Sequence, residues 1–304
     1  MRFNKLDLNL LVALDVLLKE RSVTRAAEVM NLSPSAVSNA LSRLREYFDD
    51  ELLVQIGRKM EVTSRASVLQ DEVRDLLLRI ESRIVSQPAF DPRKSDRVFR
   101  IFVSDYTQMV LMPGVMGLAA KAGSTATLHF LPQIAQPHRD LARGEADLLI
   151  IPTGFTSPDH PKETLYQEEF VCMVWRHSPM AAGELTLERY VEAQHAVTQP
   201  GGGRTDAFEG WFLNRCGITR RVAASTFSFV SLPALVVGTD LIATVHARVA
   251  RRLASAWPLE IRPTPLPFDK MEQAVQWHKF RTNDPGLTWL RGLLAEAARN
   301  IDDT

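Results

Sequence analysis

The chain has 304 residues, room for two or three domains at about 100–200 residues each. Its 45% hydrophobic and 24% charged content, with 15 Gly and 17 Pro, is that of a folded globular protein and excludes collagen-like, low-complexity and disordered classes. Lys and Arg (36) balance Asp and Glu (36), so a nucleic-acid surface would have to come from local segregation of charge. Cys172 and Cys216 lack Cys-x-x-Cys spacing, which points to buried thiols and away from a disulfide framework or zinc site. Asp7 and Asp15 interrupt the apolar opening, and no apolar run approaches the ~18 residues of a membrane span. The expected location is therefore the cytoplasm, with no membrane contact.

Leu6, Leu10, Leu14, Leu17 and Leu18 repeat at helical spacing and predict a first amphipathic helix ending near Glu20. Ser22 is placed to cap a short second helix bearing Val23, Ala26, Ala27 and Met30, and Ser33 with Pro34 opens a third. Along that third helix Val37, Leu41, Leu44 and Phe48 form the buried stripe. Ser35, Asn39, Ser42, Arg43 and Glu46 lie opposite, with Ser38 and Arg45 on the flank. Two compact helices with a tight turn, the second offering Ser and Asn near its start, suit a helix-turn-helix that reads base edges in a major groove. A solvated helix face is the alternative. Between positions 21 and 45 the cations Arg21, Arg25, Arg43 and Arg45 meet Glu28 alone, while Glu46, Asp49, Asp50 and Glu51 follow at once. Leu52 to Val62 reads as strand, turn, strand. Its turn, Gly57-Arg58-Lys59, carries two cations as a wing reaching phosphate or minor groove would, or is a plain solvated turn. The candidate DNA contacts are Arg25, Ser33, Pro34, Ser35, Ser38, Asn39, Ser42, Arg43, Arg58 and Lys59.

Thr63 or Ser64 caps a helical stretch running to about Ser86, with Leu69, Val73, Leu76, Ile80 and Ile84 at near-heptad steps. At 1.5 Å per residue it spans ~30 Å, too long to bury its stripe in so small a domain, which predicts pairing with a second subunit. Pro88 and Pro92 then mark a hinge. The expected domains are residues 1–63 for DNA binding, 64–86 for dimerisation, 87–97 for the hinge and 98–304 for a ligand-binding domain.

Strand-like runs at Phe99–Val103, Leu128–Leu131, Leu148–Ile151, Phe170–Trp175, Ala196–Thr198, Leu241–Val245 and Ala274–Trp277 alternate with helical stretches. This predicts an α/β class with buried, largely parallel strands. Extended proline-bearing segments at Pro161–Gln167 and Pro263–Pro267 suggest crossings between lobes. Lobe 1 is then expected at about 98–163 and 268–304, and lobe 2 at about 164–267. Ligands bind beyond the carboxyl ends of parallel strands, which singles out Ser104, Asp105, Tyr106 and Thr153. It also singles out Gly202, Gly203 and Arg204, whose loop opens a helix and offers N–H groups to a carboxylate or phenolate, or is simply flexible. His278, beside Trp277 at a strand end, is either a pocket residue or a satisfied structural histidine, and Trp211 and Phe212 read as core. Gly-x-Ser-x-Gly, Walker, Gly-x-Gly-x-x-Gly and His-Glu-x-x-His signatures are absent, and the seven histidines show no ligand pairing. No enzyme activity, cofactor or metal is expected.

Leu6-Asp7-Leu8-Asn9-Leu10-Leu11, Ser22-Val23-Thr24-Arg25-Ala26-Ala27, Leu32-Ser33-Pro34-Ser35-Ala36-Val37-Ser38 and Leu41-Ser42-Arg43-Leu44-Arg45 resemble the N-terminal signature of LysR-type transcriptional regulators. The resemblance extends over the whole chain. Phe99-Arg100-Ile101, Ser104-Asp105, Gly144-Glu145-Ala146-Asp147 and Glu272-Gln273-Ala274-Val275-Gln276-Trp277 resemble most the nodulation-gene and aromatic-catabolism activator branch. It implies a winged helix-turn-helix, a linker helix paired between subunits, and a two-lobed effector domain of the periplasmic-binding-protein type. It further implies a homotetramer, a dimer of dimers, on a dyad-symmetric operator in double-stranded DNA, whose bending changes when a small effector fills the interlobe cleft. RNA polymerase becomes a candidate partner. For the effector, strand-end geometry and the branch resemblance together suggest an aromatic or phenolic molecule, with Phe155, Phe170 and Trp277 as apolar walls. Asp105 favours a neutral hydroxylated ring over an anion. The family's usual Ser-Gln-Pro at the start of the recognition helix is Ser33-Pro34-Ser35 here, so the glutamine's base contact does not carry over. Gln55 replaces the usual wing arginine, which leaves Arg58 and Lys59 as phosphate contacts.

Overall fold

The computed structural model describes residues 7–57, 59–81, 84, 89–133, 136–199 and 207–302. The chain divides into two units, Met1–Gln87 with Ala142–Gly144, and Pro88–Leu141 with Glu145–Thr304.

In the first unit α1 (Leu8–Glu20), α2 (Val23–Met30) and α3 (Pro34–Phe48) each start on a short polar side chain that accepts a helix N–H. Asp7 takes Asn9 N, Ser22 takes Arg25 N and Ser33 takes Ala36 N. Each helix stops at a left-handed residue, Arg21, Asn31 and Asp49. Leu14, Leu17, Ala26, Val37 and Leu44 meet in one apolar core. Strands β1 (Leu53–Ile56) and β2 (Lys59–Val62) pair antiparallel as the wing. Asp50 secures its root: hydrogen bonds from Thr63 Oγ1 and Leu52 N hold its carboxyl below the ordinary carboxylate range.

Helix α4 (Ser64–Ile80) corrects the expected seam. Leu69, Val73 and Leu77 join the same core, where α4 lies on α1, so part of the stripe is buried within the subunit. The apolar side chains α4 leaves exposed are Val68 (71%) and Leu76 (42%), and α1 exposes Leu8 and Val12. A heptad reading merged two faces, because an α-helix at 3.6 residues per turn can carry separate apolar stripes. Positions 82–83 and 85–86 of the expected helix, and 87–88 of the expected hinge, lie outside the described residues.

Among the described residues the second unit holds a five-stranded, a three-stranded and a two-stranded sheet. In the first, β3 (Val98–Phe102) runs parallel to β4 (Thr127–Leu131) and β5 (Leu148–Pro152), while β12 (Met271–Trp277) runs antiparallel to β5 and to β6 (Lys162–Glu168), in the order β4-β3-β5-β12-β6. Alternating strand side chains serve two faces. Phe99, Ile101, Leu148 and Ile150 pack with α5 (Asp105–Lys121) and α11 (Pro285–Arg299). Phe102, Leu149 and Ile151 pack with Leu141 of α6 (Pro137–Ala142). In the second sheet β7 (Phe170–Trp175) is central, antiparallel to β10 (Ala243–His246) and β11 (Leu259–Pro263). β8 (Gln194–Thr198) runs parallel to β9 (Arg221–Thr226). Hydrogen bonds of Ala196 N to Ile242 O and of Ile242 N to Gln194 O join that pair to the approach of β10. Helices α7 (Leu187–Glu192), α8 (Phe208–Arg215), α9 (Leu232–Val236) and α10 (Ala247–Ala254) complete the lobe.

Two sequence expectations need correction. Pro161–Gln167 is not a crossing: β6 is an edge strand of the first sheet, where an initial proline is tolerated. The outward crossing falls at Glu168–Phe170, later than the expected 163/164 boundary, and the return lies between β11 and β12. Cys172 is buried as expected, but Cys216 is exposed, since it caps the solvent end of α8.

Two core histidines make this unit acid-sensitive. Burial pushes His246 down to about 3 from 6.5. It pushes His195, whose Nε2–H donates to Tyr190 O at 2.7 Å, down to about 4. Both stay neutral when folded and take up protons on unfolding. Their stabilisation is therefore complete above pH 6.5 and is lost as pH falls toward 4 and then 3. Urea unfolding at stepped pH should show stability falling by about 1.4 kcal/mol per pH unit for each proton taken up. His246→Phe should flatten that slope, and an unchanged slope in this variant would refute the assignment.

Candidate nucleic-acid interface and effector cleft

On α3 the two faces separate as their spacing predicts: Val37, Leu41 and Leu44 are buried, while Ser35, Ser38, Asn39, Ser42 and Arg43 are exposed. Ser33 is committed to its cap, with Ala36 N at 3.2 Å and Ser35 Oγ at 3.0 Å. Pro34 occupies the first helical position, and Ser42 Oγ donates to Ser38 O at 3.1 Å. The two arginines of α3 have different roles. Arg45 clamps the wing, donating to Glu51 O and Leu53 O at 2.8 Å each and pairing with the Glu51 carboxylate at 3.1 Å. Arg43 is exposed and has no ion pair among the described residues, so its five donors stay available. Arg25 on α2 and Lys59 at the wing tip are exposed, and Arg58 lies outside the described residues. Ser35, Ser38, Asn39, Ser42 and Arg43 thus give α3 an exposed face of hydroxyl, amide and guanidinium groups, chemistry suited to phosphates and base edges.

In the second unit Ser104 caps α5 at the carboxyl end of β3, with Thr107 N at 3.3 Å, and Asp105 follows it. Thr153 and Phe155 form the turn after β5. From lobe 2 come Phe170, at the start of β7, and α8. A run of aromatic rings links the two sides: Phe155 to Trp211 at 6.4 Å, Trp211 to Phe208 at 5.4 Å, Phe208 to Phe170 at 5.6 Å, and Phe170 to Phe268 at 5.5 Å. Trp211, read as core from the sequence, stays 37% exposed. The signal that could have found it is the i, i+3 pairing of Phe208 and Trp211 on one helix face. Phe212 is buried, as read.

Three expected cleft residues are elsewhere. Tyr106 is 1% exposed, turned inward by the first turn of α5. Its hydroxyl donates to Glu168 Oε2 at 2.6 Å, its ring stacks on His246 at 3.7 Å, and burial pushes its phenol well up. Trp277 pairs with Leu148 at the beginning of β5, carries Arg291 over its ring at 3.9 Å and donates Nε1–H to Thr282. His278 next to it accepts Phe280 N and packs on His160 at 4.7 Å. Because β12 runs antiparallel, its carboxyl end lies at the opposite edge of the sheet from those of β3 and β5. Gly202, Gly203 and Arg204 lie outside the described residues. Among the described residues no His, Cys, Asp or Glu group could hold a metal ion, and no helix is long and apolar enough to cross a membrane.

Residues 8–67 match the family described as bacterial regulatory helix-turn-helix protein, lysR family, and residues 93–299 match the LysR substrate binding domain. This chain belongs to the LysR family. It is thus a transcriptional regulator, not an enzyme, with a DNA-binding domain and an effector-binding domain. It is 40% identical over 301 residues to nodulation protein D 2 of Rhizobium leguminosarum bv. phaseoli, covering 99% of this chain and 95% of that protein. It is likewise 40% identical to nodulation protein D of Bradyrhizobium sp. (strain ANU 289), covering 99% and 89%. Among solved structures, a full-length OxyR variant from Pseudomonas aeruginosa superposes with TM-score 0.74 at 18% identity, covering 97% of this chain and 95% of that one. The full-length regulator CbnR in complex with its target DNA gives TM-score 0.60 at 16% identity, covering 97% and 100%. These two establish the shared fold.

Proposed function

We propose that this regulator binds a dyad-symmetric operator through α3 and the wing, and that a small hydroxylated aromatic effector between the lobes controls operator binding or DNA bending. The run of rings from Phe155 through Trp211 to Phe170 carries the effector class. It puts apolar π surface on both sides of the cleft, with Trp211 partly open to a guest. Ser104 and Thr153 add polar groups at the strand ends, and Gly202, Gly203 and Arg204 belong to the same reading. The exposed Leu76 and Val68 of α4 suit a homodimer seam, and a dimer of dimers would cover two half-sites. Contact with RNA polymerase and a cytoplasmic location complete this picture.

Calorimetric titration of the purified full chain with hydroxylated aromatics tests it. At least one should bind saturably, and Trp211→Ala should weaken that binding roughly tenfold through lost ring contact and buried area. Effector-free operator affinity should not change. Wild-type effector affinity in Trp211→Ala would remove the aromatic run from the site.

A further inference from the structure

The sequence points Asp105 at the effector, yet its carboxylate is already engaged from the other lobe. Oδ1 accepts the Tyr106 amide at 2.9 Å, while Oδ2 accepts Ser228 Oγ–H at 2.6 Å and Val230 N–H at 3.2 Å. Asp105 opens α5 in lobe 1, whereas Ser228 and Val230 sit in the turn after β9 in lobe 2. That turn is braced from within. Ser228 N donates to Thr226 Oγ1 at 3.2 Å, Ser231 N to Ser228 Oγ at 3.2 Å, and Ser231 Oγ to Ser228 O at 3.0 Å. The bracing aims two donors at one oxygen without further ordering. Directly behind, Phe229 packs edge-on against Tyr106 at 6.2 Å and against His246 at 4.8 Å. One residue along α5, Tyr106 is tied to Glu168 at the crossing between the lobes.

We propose that Asp105 and Ser228 form an interlobe latch that holds the cleft closed. Asp105 is thus a positioning residue: it sets how often lobe 2 leaves lobe 1, and the aromatic run receives the guest. A charge-assisted hydrogen bond is about twice as strong as a neutral one, so a single carboxylate with two donors can bias the separation of two lobes joined by two crossing segments. The latch rests on the geometry of the cleft and not on the effector's identity, so its test uses neither effector nor DNA.

Hydrogen exchange of the full-length chain, followed at Val230 and along residues 226–231, reads the opening of the latch. Ser228→Ala and Asp105→Asn should each raise exchange there about tenfold, while Ser228→Thr, which keeps the hydroxyl, should stay near wild type. The double variant should exchange no faster than the faster single variant, because both changes remove one shared interaction. If Asp105 merely capped its own helix and Ser228 merely braced its own turn, the effects would multiply. Multiplying effects, or wild-type exchange in Ser228→Ala, would overturn the latch. Ser228→Ala alone decides the matter should Asp105→Asn fail to fold.

Discussion

Glu168→Ala is expected to destabilise the effector domain by about 3–5 kcal/mol, the range for removing one partner from a buried ionic site. Glu168 is 1% exposed at the end of β6, where the chain leaves lobe 1. Its Oε2 receives the Tyr106 hydroxyl at 2.6 Å and Arg248 Nη1 at 3.3 Å, and its Oε1 receives Glu169 N at 3.0 Å and Arg248 N at 3.4 Å. Arg248 keeps Asp302 at 2.7 Å, so it is not stranded. The Tyr106 hydroxyl, with its ring clamped on His246, loses its charged acceptor and bears much of the loss. All five tryptophans lie between Trp175 and Trp289, so fluorescence in a urea titration reports this domain without the DNA-binding unit. A lowered midpoint in Glu168→Ala, with a smaller shift in Glu168→Gln, is the expected pattern. Wild-type midpoints in both would show that the network contributes nothing.

Arg43→Ala is expected to weaken operator binding by about 1–3 kcal/mol if the guanidinium reads a base edge. If it contacts phosphate instead, the salt dependence should flatten by about one unit. Arg43 is exposed and outside any ion pair among the described residues, two positions from an Arg45 that is committed to Glu51 and Leu53. Arg45→Ala should therefore act differently, by loosening the wing root and lowering the stability of the DNA-binding unit. Filter binding or fluorescence anisotropy across a salt series separates the two cases. Unchanged affinity of Arg43→Ala at every salt concentration would remove it from the interface.

What could be read in the sequence was mostly local. Ser22, Ser33 and Pro34 announce helix starts within three residues of the groups they serve, and the periodicity of Val37, Leu41 and Leu44 separates the faces of α3 without tertiary information. The α/β class follows from repeated apolar runs. Strand direction does not, because a run such as Ala274–Trp277 looks the same whichever way it enters the sheet. Its antiparallel entry carries Trp277 and His278 to the opposite end of the sheet from the carboxyl ends of β3 and β5. Pro161 also misleads, since an edge strand and a crossing are both extended, whereas Pro263–Pro267 does fall at the return between β11 and β12. The latch has no sequence signal at all: Asp105 and Ser228 are 123 positions apart, and each alone is an ordinary polar residue.

Under the proposed function, occupancy of the cleft changes how the protein holds its operator. The most direct measurement is the bend angle of a promoter fragment bound by the full-length protein, with and without a hydroxylated aromatic shown to bind. A different bend angle or protected length is expected once the cleft is filled, with the change reduced in Trp211→Ala at the same effector concentration. An identical bend and footprint at saturating effector would contradict it, because a ligand that does not distinguish between two states cannot shift their populations.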